Sequence, residues 1–247
     1  MRMPEATFFE HIKRFGFGSR TQLGLPGEIP GMVTPLQDWS GLSAASIAFG
    51  HEIGVTTLQM ISAFGTVANE GLRVEPRVVL GTRDADGLLQ RLAASPGVRV
   101  VSAQTARTVS SLLEGVVIRG TGTAASVPGY RIAGKTGTAQ KVVGGTYSDT
   151  EYVASFGGYG PVRDPQIVGI VVLDSPRGDV HSGGGVAAPI FGRILADALA
   201  YLRVPPDEDP LDAPAALQAT RRGSRPTRRR VDADTHETVP VAGTAAR

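Results

Sequence analysis

One segment carries most of the information on fold and function: Gly129-Tyr-Arg-Ile-Ala-Gly-Lys-Thr-Gly-Thr138. Its first eight residues, Gly129–Thr136, match the G-x-x-x-x-G-K-T pattern of phosphate-binding loops. Such a loop follows a buried strand and opens a helix, so that backbone N–H groups and the helix dipole face the phosphate. Residues 120–128 are rich in Gly and Thr, which disfavours a buried strand before the loop. Residues 138–145 are rich in β-branched residues and Gly, which disfavours a helix after it. P-loop-like nucleotide binding is therefore the weaker interpretation.

The alternating residues before Lys135 predict instead that the Lys-Thr-Gly triplet lies on a strand. In that case Lys135 supplies positive charge for an anionic peptide, while Thr136 and Thr138 share one face and offer hydroxyl groups to a carboxylate. Gly137 allows a peptide backbone to approach closely and add as an extra strand, and the Thr138 N–H then donates to an oxyanion. The plain alternative, an exposed lysine on a hairpin, stays open on these residues alone.

Periodic patterns on either side of this segment predict helices and two further strands. The N-terminal helix has apolar residues at helical spacing, and the next two helices begin at the capping residues Thr56 and Ser102. The last helix covers about Ala187–Leu202. The three predicted strands are Tyr130–Gln140, Glu151–Tyr159 and Gln166–Leu173. Helices first, then three neighbouring strands, then a helix indicate an α+β fold in which helices flank an antiparallel sheet.

The composition is that of a globular protein, with 41% hydrophobic and 19% charged residues. With zero Cys no disulfide forms, and a net charge of +2 does not indicate a nucleic-acid partner. The four His residues are scattered without metal-ligand spacing, so we expect no metal site, and we expect no cofactor. No serine stands in a G-x-S-x-G motif, so this alternative nucleophile pattern is not present. No apolar run approaches the roughly 18 residues of a membrane span, and no secretory signal opens the sequence.

The composition changes after residue 204. Residues 1–204 are predicted to form the folded domain, whereas residues 205–247 hold 6 of the 17 prolines, no aromatic residue, an acidic start and a cluster of arginines. Such a stretch does not bury enough apolar surface to offset its chain entropy. We therefore expect residues 205–247 to form a disordered Pro/Arg/Asp-rich tail.

The Lys-Thr-Gly triplet resembles the third motif of the penicillin-recognising acyltransferases, whose other motifs are S-x-x-K and S-x-N. The surrounding sequence resembles the transpeptidase domain of class B penicillin-binding proteins of the septal peptidoglycan synthase type. The similar segments span about residues 8–203, and their order and spacing make the resemblance specific. They are Arg14–Gly18, Leu25–Glu28, Phe49–Gln59, Val67–Gly71, Gly134–Gln140, Ala154–Gly160 and Ala187–Phe191.

The resemblance implies a penicillin-binding protein/β-lactamase-like fold and the activity of a peptidoglycan D,D-transpeptidase. This family cross-links stem peptides through a serine acyl-enzyme and is acylated by β-lactams. The resemblance assigns a catalytic role to Lys135 and substrate binding to Lys135, Thr136, Gly137 and Thr138. It further implies a domain that lies outside the cytoplasm, is anchored in the cytoplasmic membrane and has cell-division proteins as partners.

Two motifs of the family do not occur in the 247 residues. The lysines are Lys13, Lys135 and Lys141, and none stands three residues after a serine. Asn69 is the only asparagine and Val67 stands two positions before it, so S-x-N is missing as well. Because a serine hydroxyl needs a neighbouring base, we expect a truncated chain that is inactive by itself and depends on an upstream transpeptidase half. The alternative is a non-catalytic scaffold protein that binds peptides along the same strand.

Overall fold

The computed structural model describes residues 3–207. Its α-helices are α1 (Glu5–Arg14), α2 (Ser43–Ala48), α3 (Thr57–Ala68), α4 (Ala103–Arg119) and α5 (Ala188–Tyr201). Its strands are β1 (Met32–Val33), β2 (Ile53–Gly54), β3 (Leu72–Arg73), β4 (Gly81–Arg83), β5 (Leu89–Arg91), β6 (Val98–Arg99), β7 (Ala133–Val143), β8 (Thr146–Gly160) and β9 (Ile167–Asp174). From residue 208 onward, the predicted tail lies outside the described residues.

A three-stranded antiparallel sheet in the order β7-β8-β9 is the largest sheet of the described chain. The three predicted strands are present, although β7 begins at Ala133, three residues later than predicted, since Tyr130 closes a turn with Val127. The β7–β8 hairpin turns at Gly144 and Gly145, whose φ angles are 61° and 85°. Positive φ at both positions is what a two-residue hairpin turn of type I′ requires, and a glycine pair adopts it without strain.

Helices pack on both faces of this sheet and bury its central side chains. On one face, Phe156 of β8 packs against Phe191 of α5 with a ring-centroid distance of 4.9 Å, and Leu195 belongs to the same cluster. On the other face, Tyr159 of β8 packs with Phe64 of α3. The predicted arrangement of an antiparallel sheet flanked by helices is confirmed.

The predicted starts of two helices are also confirmed by their caps. The Thr56 hydroxyl accepts the Gln59 N–H at 3.2 Å, and the Gln59 side chain accepts the Thr56 N–H at 2.9 Å, which is a complete capping box. The Ser102 hydroxyl caps α4 by accepting the Thr105 N–H at 3.1 Å. α5 begins one residue later than predicted, after a π-helical turn over residues 183–187. None of the described helices is long and apolar enough to cross a membrane.

The Gln59 side chain also joins α3 to the loop that precedes β1. Gln59 is only 1% exposed, which the capping pattern alone does not predict. Its Nε2 group donates to the carbonyl oxygens of Ser19 at 2.9 Å and Pro30 at 2.8 Å. Because buried carbonyl groups lose free energy without a donor, this amide fixes the loop against the first turn of α3.

We predict that Gln59→Ala destabilises the fold by about 2–4 kcal/mol, because two carbonyl groups and one N–H lose their partner at a buried position. Thermal unfolding followed by circular dichroism measures this change as a lower Tm. Gln104→Ala, at an exposed position of α4, is the matched control and should keep the Tm within about 2 °C. Equal Tm values for the two variants would contradict the role given to Gln59.

Candidate functional site

The predicted site residues lie on β7, which is an edge strand of the sheet. β7 pairs with β8 in one register from Ala133 to Gln140, which places Lys135 opposite Gly157 and Gly137 opposite Ser155, and the register shifts between Gln140 and Val142. On its other side no described strand pairs with β7. β9 forms the opposite edge and contains neither a basic nor a hydroxyl side chain. The two edges therefore differ in chemistry, and the β7 edge is the polar one.

The hydrogen bonds of the sheet show which backbone groups of β7 point to the free edge. A central antiparallel strand bonds alternately to its two neighbours. The Ser175 N–H donates to the Tyr152 oxygen at 2.8 Å, so the even-numbered residues of β8 bond to β9 and the odd-numbered ones bond to β7. The register then commits the odd-numbered residues of β7 to β8. The N–H and C=O groups of Thr136 and Thr138 are left directed to the free edge.

Lys135 is exposed beside this edge. Both a peptide-binding strand and a plain exposed lysine on a hairpin require this exposure. Its Nζ donates to the Thr136 carbonyl oxygen at 2.8 Å, which agrees with a carbonyl that points away from β8. No Asp or Glu among residues 3–207 forms an ion pair with it. The ammonium is therefore a positive charge that an anionic ligand can reach.

Lys141 lies farther along the same strand and is paired by contrast. Its Nζ lies 2.8 Å from Asp174 Oδ1 and 3.4 Å from Glu151 Oε2. The hydrogen bond to Asp174 raises the pKa of Lys141, and the same bond lowers the pKa of Asp174. The two lysines of β7 thus have different surroundings, which makes Lys141 a control for Lys135.

Two threonine hydroxyls accompany Lys135 on the edge strand. Thr136 Oγ1 lies 2.7 Å from Oγ1 of Thr121, which is in the loop after α4. Thr138 Oγ1 accepts the Gly183 N–H at 3.0 Å. Positions two apart on a strand share a face, so both hydroxyls lie on one side of β7. One ammonium, two hydroxyls and two outward N–H groups therefore lie within a few residues of each other.

Gly137 stands where a side chain has no room. A Cβ atom at this position would lie 2.5 Å from Ser155 Oγ on the neighbouring strand. From the opposite face, Gly183 approaches so closely that its own Cβ would lie 2.3 Å from the Gly137 oxygen. The close approach at Gly137 is thus made by other parts of this chain on both faces, while the edge of the strand stays open.

Sequence reasoning missed two residues of this site, Thr121 and Gly183. They contact β7 residues that are 15 and 45 positions away in the sequence. In the sequence alone, the segment Gly120-Thr-Gly-Thr123 argues only against a buried strand. A run of three glycines from Gly183 to Gly185 is a local signal of close backbone approach, although it does not identify β7 as the partner.

The other candidate sites, namely a phosphate-binding loop, His181 and a metal site, add nothing to the β7 edge. The nucleotide-binding interpretation of Gly129–Thr136 is wrong, because its second half lies inside β7 and no helix opens there to face a phosphate. His181 stacks on Tyr152 at a ring-centroid distance of 4.2 Å in an exposed position. Within residues 3–207, no three His, Asp or Glu side chains are grouped so that they could hold a metal ion.

Comparison with known proteins shows similarity to one family over most of the chain. The sequence profile of the penicillin binding protein transpeptidase domain matches residues 1–196. Penicillin-binding protein PbpB of Mycolicibacterium smegmatis is 41% identical over 229 residues, which cover 89% of this chain and 35% of the relative. Peptidoglycan D,D-transpeptidase FtsI of Escherichia coli is 33% identical over 215 residues, which cover 84% of this chain and 34% of the relative.

A solved structure supports the same similarity at the level of the fold. Penicillin binding protein 3 from Mycobacterium tuberculosis, in complex with ampicillin, superposes with a TM-score of 0.76 at 38% identity. The superposition covers 84% of this chain and 48% of the other. The chain therefore spans about a third of the length of these relatives and about half of the solved chain.

We predict that amide exchange alternates along β7 in the ligand-free protein. The N–H groups of Lys135 and Gly137 bond to β8, whereas those of Thr136 and Thr138 face the free edge, so the latter pair should exchange at least about 10-fold faster. Hydrogen–deuterium exchange followed by NMR, residue by residue, measures this difference. Uniform protection over residues 135–138, or the opposite alternation, would show that the free edge is assigned to the wrong residues.

Proposed function

The chain belongs to the penicillin-binding protein transpeptidase family, in its class B branch, and we propose that it forms the substrate-strand part of a peptidoglycan D,D-transpeptidase. One observation carries this proposal: the Lys135 ammonium and the edge-directed Thr138 N–H lie together on the free edge of β7. A cation and a fixed backbone donor are what acyl transfer from an anionic peptide needs. The Escherichia coli relative is named for the same reaction.

We infer that the stem peptide binds along β7 as an additional strand. The edge-directed groups of Thr136 and Thr138 supply main-chain hydrogen bonds, and the carbonyl oxygen of the bond to be cleaved accepts the Thr138 N–H. The peptide carboxylate lies against the Lys135 ammonium and the two threonine hydroxyls, since charge-assisted hydrogen bonds of this kind are the strong ones. This geometry fixes the reacting carbonyl at one end and the negative charge at the other.

The nucleophile is a serine that we place outside the 247 residues, because no serine of this chain has a lysine three residues later. Its oxygen forms a bond to the peptide carbonyl carbon, and the Thr138 N–H stabilises the negative charge on the carbonyl oxygen. The C–N bond then breaks, and the leaving amine takes up the proton that the serine lost. Lys135 supports this proton movement through its charge. A second stem peptide then attacks the acyl-enzyme with its amine. The new C–N bond is the cross-link, the ester C–O bond breaks, and the amine proton passes to the serine oxygen.

The ligands that we propose follow from the β7 edge, and the partners follow from the family. The solved relative binds ampicillin, and a β-lactam carbonyl would occupy the position of the peptide carbonyl on β7. We assign residues 1–204 to the C-terminal part of a transpeptidase domain and residues 205–247 to a separate tail. From the family we further propose that the partners are cell-division proteins. The place of action is then the peptidoglycan outside the cytoplasmic membrane.

A second candidate function is that of a non-catalytic scaffold that holds peptides along β7. The observation in its favour is that S-x-x-K does not occur in the 247 residues. Such a protein would use the same main-chain hydrogen bonds and the same ammonium, but no acyl-enzyme would form. Covalent labelling therefore separates the two functions, because a scaffold binds its ligand reversibly.

We predict that Lys135 governs acylation once the serine is present. The chain is combined with the upstream part of a transpeptidase domain that carries S-x-x-K and S-x-N, and acylation by a fluorescent penicillin is timed. Lys135→Ala should lower the rate constant about 100-fold or more, the range for removing one preorganised electrostatic group. Lys135→Arg should also lower the acylation rate constant sharply, because a planar guanidinium does not replace a compact ammonium. Thr138→Ala should lower the acylation rate constant less than Lys135→Ala does, since the backbone N–H of residue 138 remains.

Two controls accompany this experiment. Lys141→Ala removes a charge from the same strand and should acylate within about 2-fold of the unchanged chain, because Lys141 is paired with Asp174. The chain without the upstream part should take no label. Unchanged acylation in both Lys135 variants would exclude β7 as the substrate strand. Stable label on a serine of the isolated chain would overturn the placement of the nucleophile.

A further inference from the structure

The π-helical turn at Gly183–Ala187 lies against the face of β7 that carries the threonine hydroxyls. Its glycines are required by close approach. A Cβ at Gly183 would lie 2.2 Å from the Ser155 oxygen, and a Cβ at Gly184 would lie 2.3 Å from the Thr121 oxygen. Any larger residue at these positions would push the turn away from β7. The contact is thus backbone to sheet, and it holds the Gly183 N–H in one place.

The Gly183 N–H determines how the Thr138 hydroxyl is used. A hydroxyl has one proton to donate and two lone pairs that accept. One lone pair of Thr138 Oγ1 accepts the Gly183 N–H at 3.0 Å. The amide therefore occupies an acceptor position and leaves the hydroxyl proton for a ligand. Since Thr138 is exposed, that proton is available to an anion at the edge of the sheet.

Thr121 acts in a comparable way on the other hydroxyl. Thr136 Oγ1 lies 2.7 Å from Thr121 Oγ1 and 3.4 Å from Lys135 Nζ. The ammonium only donates, so it also takes an acceptor position on Thr136. When an anion accepts the Thr136 proton, the Thr121 hydroxyl becomes the donor of the pair. The short Thr121–Thr136 contact then supports an outward-directed proton on Thr136.

We propose that Thr121 and Gly183 are positioning residues that hold the hydroxyls of Thr136 and Thr138 as donors to the carboxylate of the ligand. This inference rests on the proposed function, because it concerns the same edge of β7. Neither residue touches the ligand. Each occupies an acceptor position of a hydroxyl that does. The Gly183 N–H fills this position on Thr138 before the ligand arrives, and the Thr121 hydroxyl fills it on Thr136 once the ligand accepts the Thr136 proton.

The role predicts an effect on ligand binding that is larger than the effect on the covalent step. The hydroxyls bind the carboxylate, whereas the reacting carbonyl accepts the Thr138 N–H. Thr121 and Gly183 bond to the two hydroxyls and not to this N–H. Loss of one supporting hydrogen bond should weaken initial binding about 5- to 10-fold, the effect of a single net hydrogen bond. The rate of acylation from the bound complex should change less than about 2-fold.

The test uses the whole protein with its serine and measures the dissociation constant and the acylation rate constant separately, with a fluorescent penicillin in stopped-flow experiments. Thr121→Val keeps the shape of the side chain and removes the hydroxyl, so it should weaken binding 5- to 10-fold. Thr121→Ser restores the hydroxyl and should recover most of the affinity. Thr108→Val is the matched control, because Thr108 is exposed on α4 and its hydroxyl donates to the Gln104 carbonyl oxygen.

Gly183→Ala tests the second position in the same assay, and it should weaken binding at least as much because the turn must move away from β7. If this variant does not fold, Thr121→Val and Thr121→Ser decide the positioning role by themselves. A wild-type protein without label would overturn the proposed function together with this inference. If the wild type is labelled but Thr121→Val binds within 2-fold of it, or loses only the acylation rate, the positioning role alone is overturned.

Discussion

Antiparallel hydrogen bonding between β7 and β8 determines what the edge of the sheet presents. Because these bonds alternate, every second residue of β7 has its backbone groups bonded to β8, and the residues between them face outward. A shift of the register by one residue would turn the Thr138 N–H inward and move its side chain to the opposite face. Between Ala133 and Gln140 this register is held by the burial of Phe156 on one face and Tyr159 on the other, because an irregularity between Gln140 and Val142 separates it from the glycine turn at residues 144–145.

Glycines let other elements come close enough to complete this edge. Gly157 lies opposite Lys135, and a Cβ there would lie 2.3 Å from the Phe64 ring, so α3 packs tightly beneath the lysine. On the other face, Gly183 brings a backbone N–H to the Thr138 hydroxyl. Tight packing therefore places polar groups as well as apolar ones. The same closeness explains why the site combines groups from a strand, a loop and a helical turn.

Local patterns predicted the elements of this fold better than they predicted the contacts of the site. Alternation placed Lys135 on a strand, and a single capping residue, Thr56, set the start of α3. The contacts of Thr121 and Gly183 with β7 arise only when distant segments pack together, and no periodicity encodes them. The buried amide of Gln59 is a similar case, because its two carbonyl partners come from a loop whose path no local pattern defines.

In the function that we propose, the β7 edge holds the substrate through the Thr138 N–H, the Lys135 ammonium and the two threonine hydroxyls. A crystal structure of the whole protein acylated by a β-lactam tests it most directly. We expect the acyl carbonyl oxygen to lie about 2.7–3.1 Å from the Thr138 nitrogen, with the ligand carboxylate against the hydroxyls of Thr136 and Thr138. An acyl group whose carbonyl oxygen has its donors elsewhere, or whose carboxylate makes no contact with β7, would contradict the account.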